Sequence, residues 1–243
     1  MAGHSKWANI KHRKSKQDAA KGKLFTKIAK EVIMAAKSGG GDPGANFRLR
    51  IAIDKARAIN MPTENINRAI ARGTGGTEGD NFEEFTYEGY GPGGVAIMLD
   101  IATDNRNRTA GDIRHLFSKY GGNLGETGCV SWLFTKVGML LVEKEDSPLS
   151  EDELLLVAAE AGADGLSVDD ESYQITCAAD VIWQVKASLE VQGVQLGNAE
   201  ITYVPSNTIA VVGDDAVRLL KLMELLDEHD DVQEVYANFD LEE

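Results

Sequence analysis

Residues 138–204 decide the fold, and they read GMLLVEKEDSPLSEDELLLVAAEAGADGLSVDDESYQITCAADVIWQVKASLEVQGVQLGNAEITYV. Short runs typical of strands occur at 138–143, 165–168, 173–177 and 194–204. Two helices are predicted between them, because apolar residues recur there at helical spacing. Their core positions are Leu154, Val157 and Ala158 in the first helix and Val181, Val185 and Leu189 in the second. The resulting order, β-α-β-β-α-β, predicts a ferredoxin-like domain.

The segments on both sides of this domain each carry too few elements to fold alone. Before it, strands are predicted at 82–87, 95–102 and 129–134. After it, the chain has an apolar helix over 214–229 and a strand over 232–237. Because one helix and one strand cannot form a domain, we expect them to complete the sheet of the earlier segment. The ferredoxin-like domain is then an insertion into a middle domain.

The predicted fold class is therefore α+β with three domains. These are an N-terminal helical bundle (1–80), a middle α+β domain (81–136 and 205–243) and the ferredoxin-like α+β domain (137–204) inserted into it. The bundle is predicted from three amphipathic helices, which begin near Gly22, near Asn46 and at a capping Thr63. Short connections between such helices are typical of a small bundle.

The charge of the chain is divided unevenly. The net charge is −14, yet residues 1–72 hold 16 Lys and Arg against 5 Asp and Glu, a net of +11. Residues 73–243 hold the other 9 Lys and Arg with 34 Asp and Glu, a net of −25. Phosphate groups attract Lys and Arg locally through the release of condensed counterions, whereas acidic surfaces repel them. The asymmetry predicts a nucleic-acid-binding surface within residues 1–72.

Basic side chains lie on all three helices of this segment and in the run MAGHSKWANIKHRKSK at residues 1–16. Trp7 in that run is able to stack on a base or to pack on the bundle. The alternative is that Lys and Arg only keep the helices soluble, but this does not explain why acids are nearly absent. The predicted contact residues are Lys6, Trp7, Lys11, His12, Arg13, Lys14, Lys16, Lys23, Lys27, Lys30, Arg48, Arg50, Arg57, Arg68 and Arg72.

A second candidate contact lies outside the basic segment, in the run DNRNRT at 104–109. It places Arg106 and Arg108 between a strand and a helix, in an otherwise acidic region. Two interpretations stand side by side. The arginines either contact phosphate or bases, or they bridge a helix cap to nearby carboxylates.

No side-chain pattern in the chain is typical of an active site or a metal site. The four histidines and two cysteines are scattered, so we expect no metal and no cofactor. The glycine-rich run at 89–94 lacks the lysine of a phosphate-binding loop and is predicted to be a hairpin turn. Acidic pairs such as Asp230-Asp231 stand at element ends, where we expect them to be solvated. We predict a protein that is not an enzyme and has no evident small-molecule substrate.

No stretch of the sequence approaches the 18 apolar residues of a transmembrane helix, and no membrane partner is expected. The N-terminus is basic but lacks the apolar core of a secretory signal. The cytoplasm is therefore the expected location. The sequence makes no prediction of the oligomeric state.

Six segments of the sequence are distinctive: 1–14, 39–50, 87–94, 104–109, 121–125 and 230–236. Together they strongly resemble the YebC/PmpR family, and the resemblance spans nearly the whole chain. It implies three domains, with the third inserted into the second, and a bacterial cytoplasmic protein that regulates transcription by binding DNA. Relatives in that family, including a mitochondrial activator of cytochrome oxidase synthesis, act instead on ribosomes during translation.

The charge distribution and the resemblance together indicate two alternative functions. The first is a transcriptional regulator that binds duplex DNA through residues 1–72. The alternative is a ribosome-associated translation factor that binds ribosomal RNA through the same segment. The basic residues are spread over several helices and a tail, unlike the single recognition helix of a helix-turn-helix protein.

Overall fold

The computed structural model describes residues 21–75, 82–168 and 171–241, and the chain divides into two compact units. One unit is formed by residues 134–206, and the other by the ranges 1–133 and 207–243. Because the smaller unit lies within the sequence of the larger one, the predicted insertion is confirmed. The predicted division of the larger unit near residue 80 stays a prediction.

The helices and strands follow one another in this order: α1 (Lys21–Gly39), α2 (Phe47–Ala58), α3 (Thr63–Thr74), β1 (Glu83–Tyr90), β2 (Ala96–Thr103), α4 (Arg106–Lys119), β3 (Asn123–Leu124), β4 (Phe134–Glu143), α5 (Glu151–Glu160), β5 (Ala163–Val168), β6 (Ser172–Ala178), α6 (Ile182–Val191), β7 (Asn198–Pro205), β8 (Ile209–Val211), α7 (Gly213–Asp227), β9 (Val232–Ala237) and β10 (Phe239–Leu241).

The first three helices pack their apolar stripes on one another, as predicted. The Asn46 side chain accepts the Leu49 N–H at 3.1 Å and so caps α2. Thr63, predicted as the cap of α3, is instead its first residue and follows Pro62. A Cβ at Gly73 would lie 2.4 Å from the Ile33 carbonyl oxygen, so this glycine allows α1 and α3 to approach closely. The core of the bundle includes Val32, Ala36, Leu49, Ala52, Ile53, Ala56, Ile66 and Ala69.

The same unit contains a four-stranded antiparallel sheet in the order β3-β1-β2-β9. The pairing of β9 with β2 confirms that the C-terminal segment completes the sheet of residues 82–103. Helices α4 and α7 contribute to one apolar core with the sheet. Its buried residues include Ile97, Leu99, Ile113, Phe117, Leu222, Leu226 and Val235. A short parallel pair, β8 with β10, was not predicted.

The strand predicted at 129–134 is wrong, and the reason is the buried carboxylate of Glu88. It accepts the backbone N–H groups of Gly128, Val130 and Ser131, each at 2.8 Å. Burial alone would raise the pKa of Glu88, but these hydrogen bonds outweigh it and lower the pKa below its ordinary value. Backbone groups bound to a side chain cannot pair in a sheet, so the strand begins only at Phe134.

The smaller unit has the predicted ferredoxin-like topology. Its antiparallel sheet runs β5-β6-β4-β7, with α5 and α6 packed against it. Ser150 and Glu153 form a reciprocal capping box at the start of α5. The buried core includes Leu140, Val142, Leu154, Ile175, Val185 and Leu189. Within the described ranges of both units, no helix combines the length and apolarity needed to cross a membrane.

Candidate nucleic-acid interface

The predicted contact residues of the N-terminal run lie outside the described residues. They are Lys6, Trp7, Lys11, His12, Arg13, Lys14 and Lys16. The other ten predicted residues lie in the described part of the larger unit, and the structure separates them into two groups.

Three lysines of α1, namely Lys23, Lys27 and Lys30, face the C-terminal end of α7 and the turn that follows it. Lys23 pairs with Glu228 at 3.5 Å, and Lys27 pairs with Asp227 at 3.6 Å. Lys27 also donates to the Asp227 carbonyl oxygen. The last carbonyl groups of a helix carry partial negative charge, so the end of α7 attracts cations in addition to its carboxylates. These lysines are thus bound to acids of the same chain.

Lys30 is the most enclosed of them, with 9% of its surface exposed. Its ammonium group donates to Asp231 Oδ1 at 2.8 Å and to the Asp230 carbonyl oxygen at 2.7 Å. The periodicity placed Lys30 on the side of α1 opposite the apolar stripe, which is correct for the isolated helix. In the folded unit that side is covered, so Lys30 acts as an internal partner.

Asp231 receives donors from several elements on a carboxylate that is 4% exposed. Its Oδ2 accepts from Arg108 at 3.0 Å, from Thr109 at 2.8 Å and from Thr103 at 3.1 Å. Burial would raise the pKa of Asp231, but the hydrogen bonds from Lys30, Arg108 and Thr109 outweigh it and hold the pKa well below its ordinary value. The prediction that Asp231 is solvated is wrong, because the turn at 229–231 packs against α1 and α4.

A second internal contact joins α2 to the start of β1. Both terminal nitrogens of Arg48 donate to the carboxylate of Glu84, one of them at 3.0 Å. This forked hydrogen bond raises the pKa of Arg48, although the pair remains partly exposed. Four of the eight predicted residues between Lys23 and Arg72 are therefore paired with acids beyond the bundle.

The other four predicted residues of the bundle are the arginines Arg50, Arg57, Arg68 and Arg72, all exposed on α2 and α3. Arg57 lies 3.7 Å from Asp54, and Arg68 lies 3.0 Å from Glu64, both on open surface. Exposed pairs of this kind hold their partners with about 0.2–1 kcal/mol, so a phosphate competes with them easily. Arg50 donates to the carbonyl oxygens of Pro43 and Gly44.

A groove of about 360 Å³ lies beside Arg57, between α2, α3 and the glycine-rich connection that follows α1. Polar groups of Arg57, Thr63 and Asn67 line it together with the apolar side chains of Ile53 and Ile66. This combination of hydrogen-bond donors and apolar surface is able to accept a phosphate and the sugar attached to it.

The two arginines of the second candidate site have different partners. Arg108 is paired with Asp104 at 2.8 Å and with Asp231 at 3.0 Å, as in the helix-cap interpretation. Hydrogen bonds from Asp231 and Asp104 raise its pKa. Arg106 instead lies over the ring of Phe85, 4.4 Å from its centroid, and has no carboxylate partner among the described residues.

Sequence reasoning missed the acidic partners of α1, namely Asp227, Glu228 and Asp231. One signal was present: three lysines spaced along one face of α1 and a run of acids at 227–231. Complementary runs 200 residues apart do not by themselves indicate contact. Only the tertiary structure brings them together.

Comparison with known proteins gives matches along almost the whole chain. Residues 5–76 match the TACO1/YebC protein N-terminal domain, and residues 82–239 match the TACO1/YebC second and third domain. A protein of Desulfitobacterium hafniense is 58% identical over 241 residues, which are 99% of this chain and 96% of that protein. A protein of Geobacillus kaustophilus is 55% identical over 240 residues, which are 99% of this chain and 98% of that protein. Both are named "probable transcriptional regulatory protein".

Solved structures are also similar to this chain. One of them is the crystal structure of a conserved hypothetical protein from Aquifex aeolicus, with a TM-score of 0.85 and 47% sequence identity. The match covers 93% of each chain.

Proposed function

This chain belongs to the TACO1/YebC family, and from that premise we propose that it is a non-catalytic regulator of gene expression that binds DNA in the cytoplasm. The names of its relatives support the regulatory role. The charge of residues 1–72 supports a polyanionic partner, because their net charge is +11.

The observation that carries the proposal is the arginine surface of α2 and α3, which we define as Arg50, Arg57, Arg68 and Arg72. These side chains are exposed, whereas Lys27 and Lys30 of α1 are largely buried in pairs with acids of the same chain. A surface of arginines beside a groove suits phosphate, since guanidinium groups donate two hydrogen bonds at once. The remainder of the chain is strongly acidic overall and, taken as a whole, repels a polyanion.

A footprint on the promoter of a regulated gene tests the proposal. Full-length protein is mixed with promoter fragments from its own genome, and protection is mapped at several salt concentrations. If about 6–10 phosphates are contacted, affinity falls by about 10³–10⁵ between 50 and 200 mM salt. The double variant Arg57→Glu with Arg68→Glu should lose protection. The matched control, Lys186→Glu with Arg218→Glu, makes the same change of charge in the acidic region and should retain it.

The outcome that contradicts this proposal is equally concrete. Salt-sensitive binding with no preference for any promoter, together with tighter binding to ribosomal RNA, would replace transcription by translation as the regulated step. Co-sedimentation of the full chain with ribosomes in sucrose gradients at low salt is the corresponding measurement.

A further inference from the structure

Helix α4 has a charge unlike that of the region around it. Residues 73–243 contain 9 Lys and Arg, and 4 of them lie within the 14 residues of α4. Only one of the 34 acids of that region, Asp112, lies on the helix. An acidic region that concentrates its few cations on one helix creates a local positive field there.

The outer face of α4 carries several side chains that donate hydrogen bonds. Ile113 and Phe117 turn inward and are fully buried. At about 100° per residue, the opposite side carries Asn107, Gly111, Arg114, His115 and Ser118, and all five are exposed. These five residues are called the α4 face below. Asp112 stands at its edge, where the carboxylate lies 3.7 Å from His229 Nε2.

Arg114 has no hydrogen-bond or ion-pair partner among the described residues, in contrast to Arg108 one turn and a half earlier. Arg106, at the N-terminal end of the helix, places its guanidinium group over the ring of Phe85. These two cations are eight residues apart, about 12 Å along the helix axis and about 80° around it, so Arg106 does not belong to the α4 face.

Gly111 lies in the middle of the α4 face, and packing does not explain it. A Cβ built at this position would meet no atom within 4 Å, and its φ is not in the left-handed region. Glycine in the interior of a helix makes the helix less stable than alanine does, and no packing contact of Gly111 offsets this loss. A helix surface without side-chain atoms allows another backbone to approach closely.

We propose that the α4 face is a second contact site for the phosphate–sugar backbone of a nucleic acid. The strand lies across Gly111, and Asn107, Arg114 and Ser118 donate to its phosphate oxygens. His115 adds a ring for stacking on the sugar or on an unpaired base. This inference rests on the proposed nucleic-acid function and adds a contact outside residues 1–72.

Gly111→Ala separates this role from a structural one. The substitution adds one methyl group in open space and replaces a poor helix former with the best one, so the melting temperature should stay equal or rise. Affinity for nucleic acid should nevertheless fall, by about threefold or more, because the methyl group holds the strand away from the helix. A merely structural role predicts unchanged affinity.

Arg114→Gln tests the charge. We expect a loss of about tenfold in affinity, as for a hydrogen bond to a charged group, and a salt dependence that is less steep by about 0.9. The control is Arg218→Gln on α7, which removes an exposed helical arginine that is paired with Asp215. It should change affinity by less than about twofold, as surface pairs do.

The measurement is fluorescence anisotropy of the full-length protein, with a labelled DNA duplex in one arm and single-stranded RNA of the same sequence in the other. A loss confined to one arm supports the inference and identifies the nucleic acid. A loss in both supports a backbone contact common to the two. If Gly111→Ala and Arg114→Gln both bind the DNA and the RNA as tightly as the wild type, the inference about the α4 face is wrong. The proposed function survives that result if the double variant Arg57→Glu with Arg68→Glu still loses binding to nucleic acid. Absence of binding by the wild-type protein in both arms overturns the two together.

Discussion

The pair of Lys30 and Asp231 is the strongest electrostatic feature at the scale of single residues. Both side chains are buried, and their charged groups are held by partners at 2.7–3.1 Å. A buried charge without a partner is costly, whereas a hydrogen-bonded network of opposite charges is tolerated. The network therefore acts mainly to specify how α1 sits against the turn at 229–231.

Lys30→Met removes the ammonium group and keeps most of the aliphatic length. We expect the free energy of unfolding to fall by about 3 kcal/mol, the lower end of the range for a broken buried pair, because Arg108 still donates to Asp231. Urea unfolding followed by circular dichroism measures it. The control Lys23→Met breaks a half-exposed pair with Glu228, so a loss below about 1 kcal/mol is expected. Equal losses of unfolding free energy in Lys30→Met and Lys23→Met would contradict the burial of the Lys30–Asp231 pair.

Asp231 should also make stability depend on pH in the acid range. Its pKa is lower in the folded protein than in the unfolded chain. The stability that Asp231 contributes is therefore fully present above its pKa in the unfolded chain, about 3.9. It is lost as the pH falls from there through the pKa of Asp231 in the folded protein. We expect the difference in unfolding free energy between wild type and Asp231→Asn to narrow below about pH 4, by up to about 1.4 kcal/mol per pH unit. A difference that stays constant down to about pH 3 would exclude this role.

At the scale of elements, close approach of helix and sheet is set by a few glycines. Gly138 on β4 faces α6, and a Cβ there would lie 2.7 Å from Ile182 Cβ and 2.8 Å from Cys177 Sγ. Both neighbours are fully buried, so neither can move aside without displacing the core of the smaller unit. This glycine keeps α6 seated on the sheet.

Gly138→Ala should therefore destabilise the unit of residues 134–206 by about 1–3 kcal/mol through overpacking. Hydrogen exchange measures it locally, and we expect faster exchange in this unit than in the wild type. Gly165→Ala on β5 is the matched control, since its Cβ would meet Thr176 Oγ1 at an ordinary 3.5 Å. If both substitutions accelerate hydrogen exchange to a similar extent, the loss of stability comes from replacing a strand glycine and not from the contact between Gly138 and α6.

At the scale of the whole molecule, the decisive feature is where positive charge remains available. Lys23, Lys27 and Lys30 are paired with acids at the end of α7 and in the turn after it, while the arginine surface faces solvent. Lys6, Lys11, Arg13, Lys14 and Lys16 add five cations to the same end of the sequence. Net charge alone, at −14, hides this difference between the two parts of the sequence.

Changing those five residues to Gln should weaken binding to DNA and reduce the steepness of its salt dependence by up to about 4.5, at about 0.9 for each phosphate that is no longer neutralised. The matched control changes Lys136, Lys144, Lys186, Arg218 and Lys221 to Gln, which alters the net charge by the same amount. Its binding should stay close to wild type. If the two variants lose affinity equally, attraction follows total charge and the proposed interface is wrong.

The sequence by itself determined the fold class, the ferredoxin-like insertion and the uneven charge. Periodicity and turn residues act locally, and the lone C-terminal helix and strand had one plausible place to pack. The tertiary structure decided which cations remain on the surface, because pairs such as Lys30 with Asp231 join positions about 200 residues apart. It also decided that Glu88 binds the loop before β4 and that Gly111 lies open on α4. Contacts of this kind depend on how elements pack, and no local pattern encodes them.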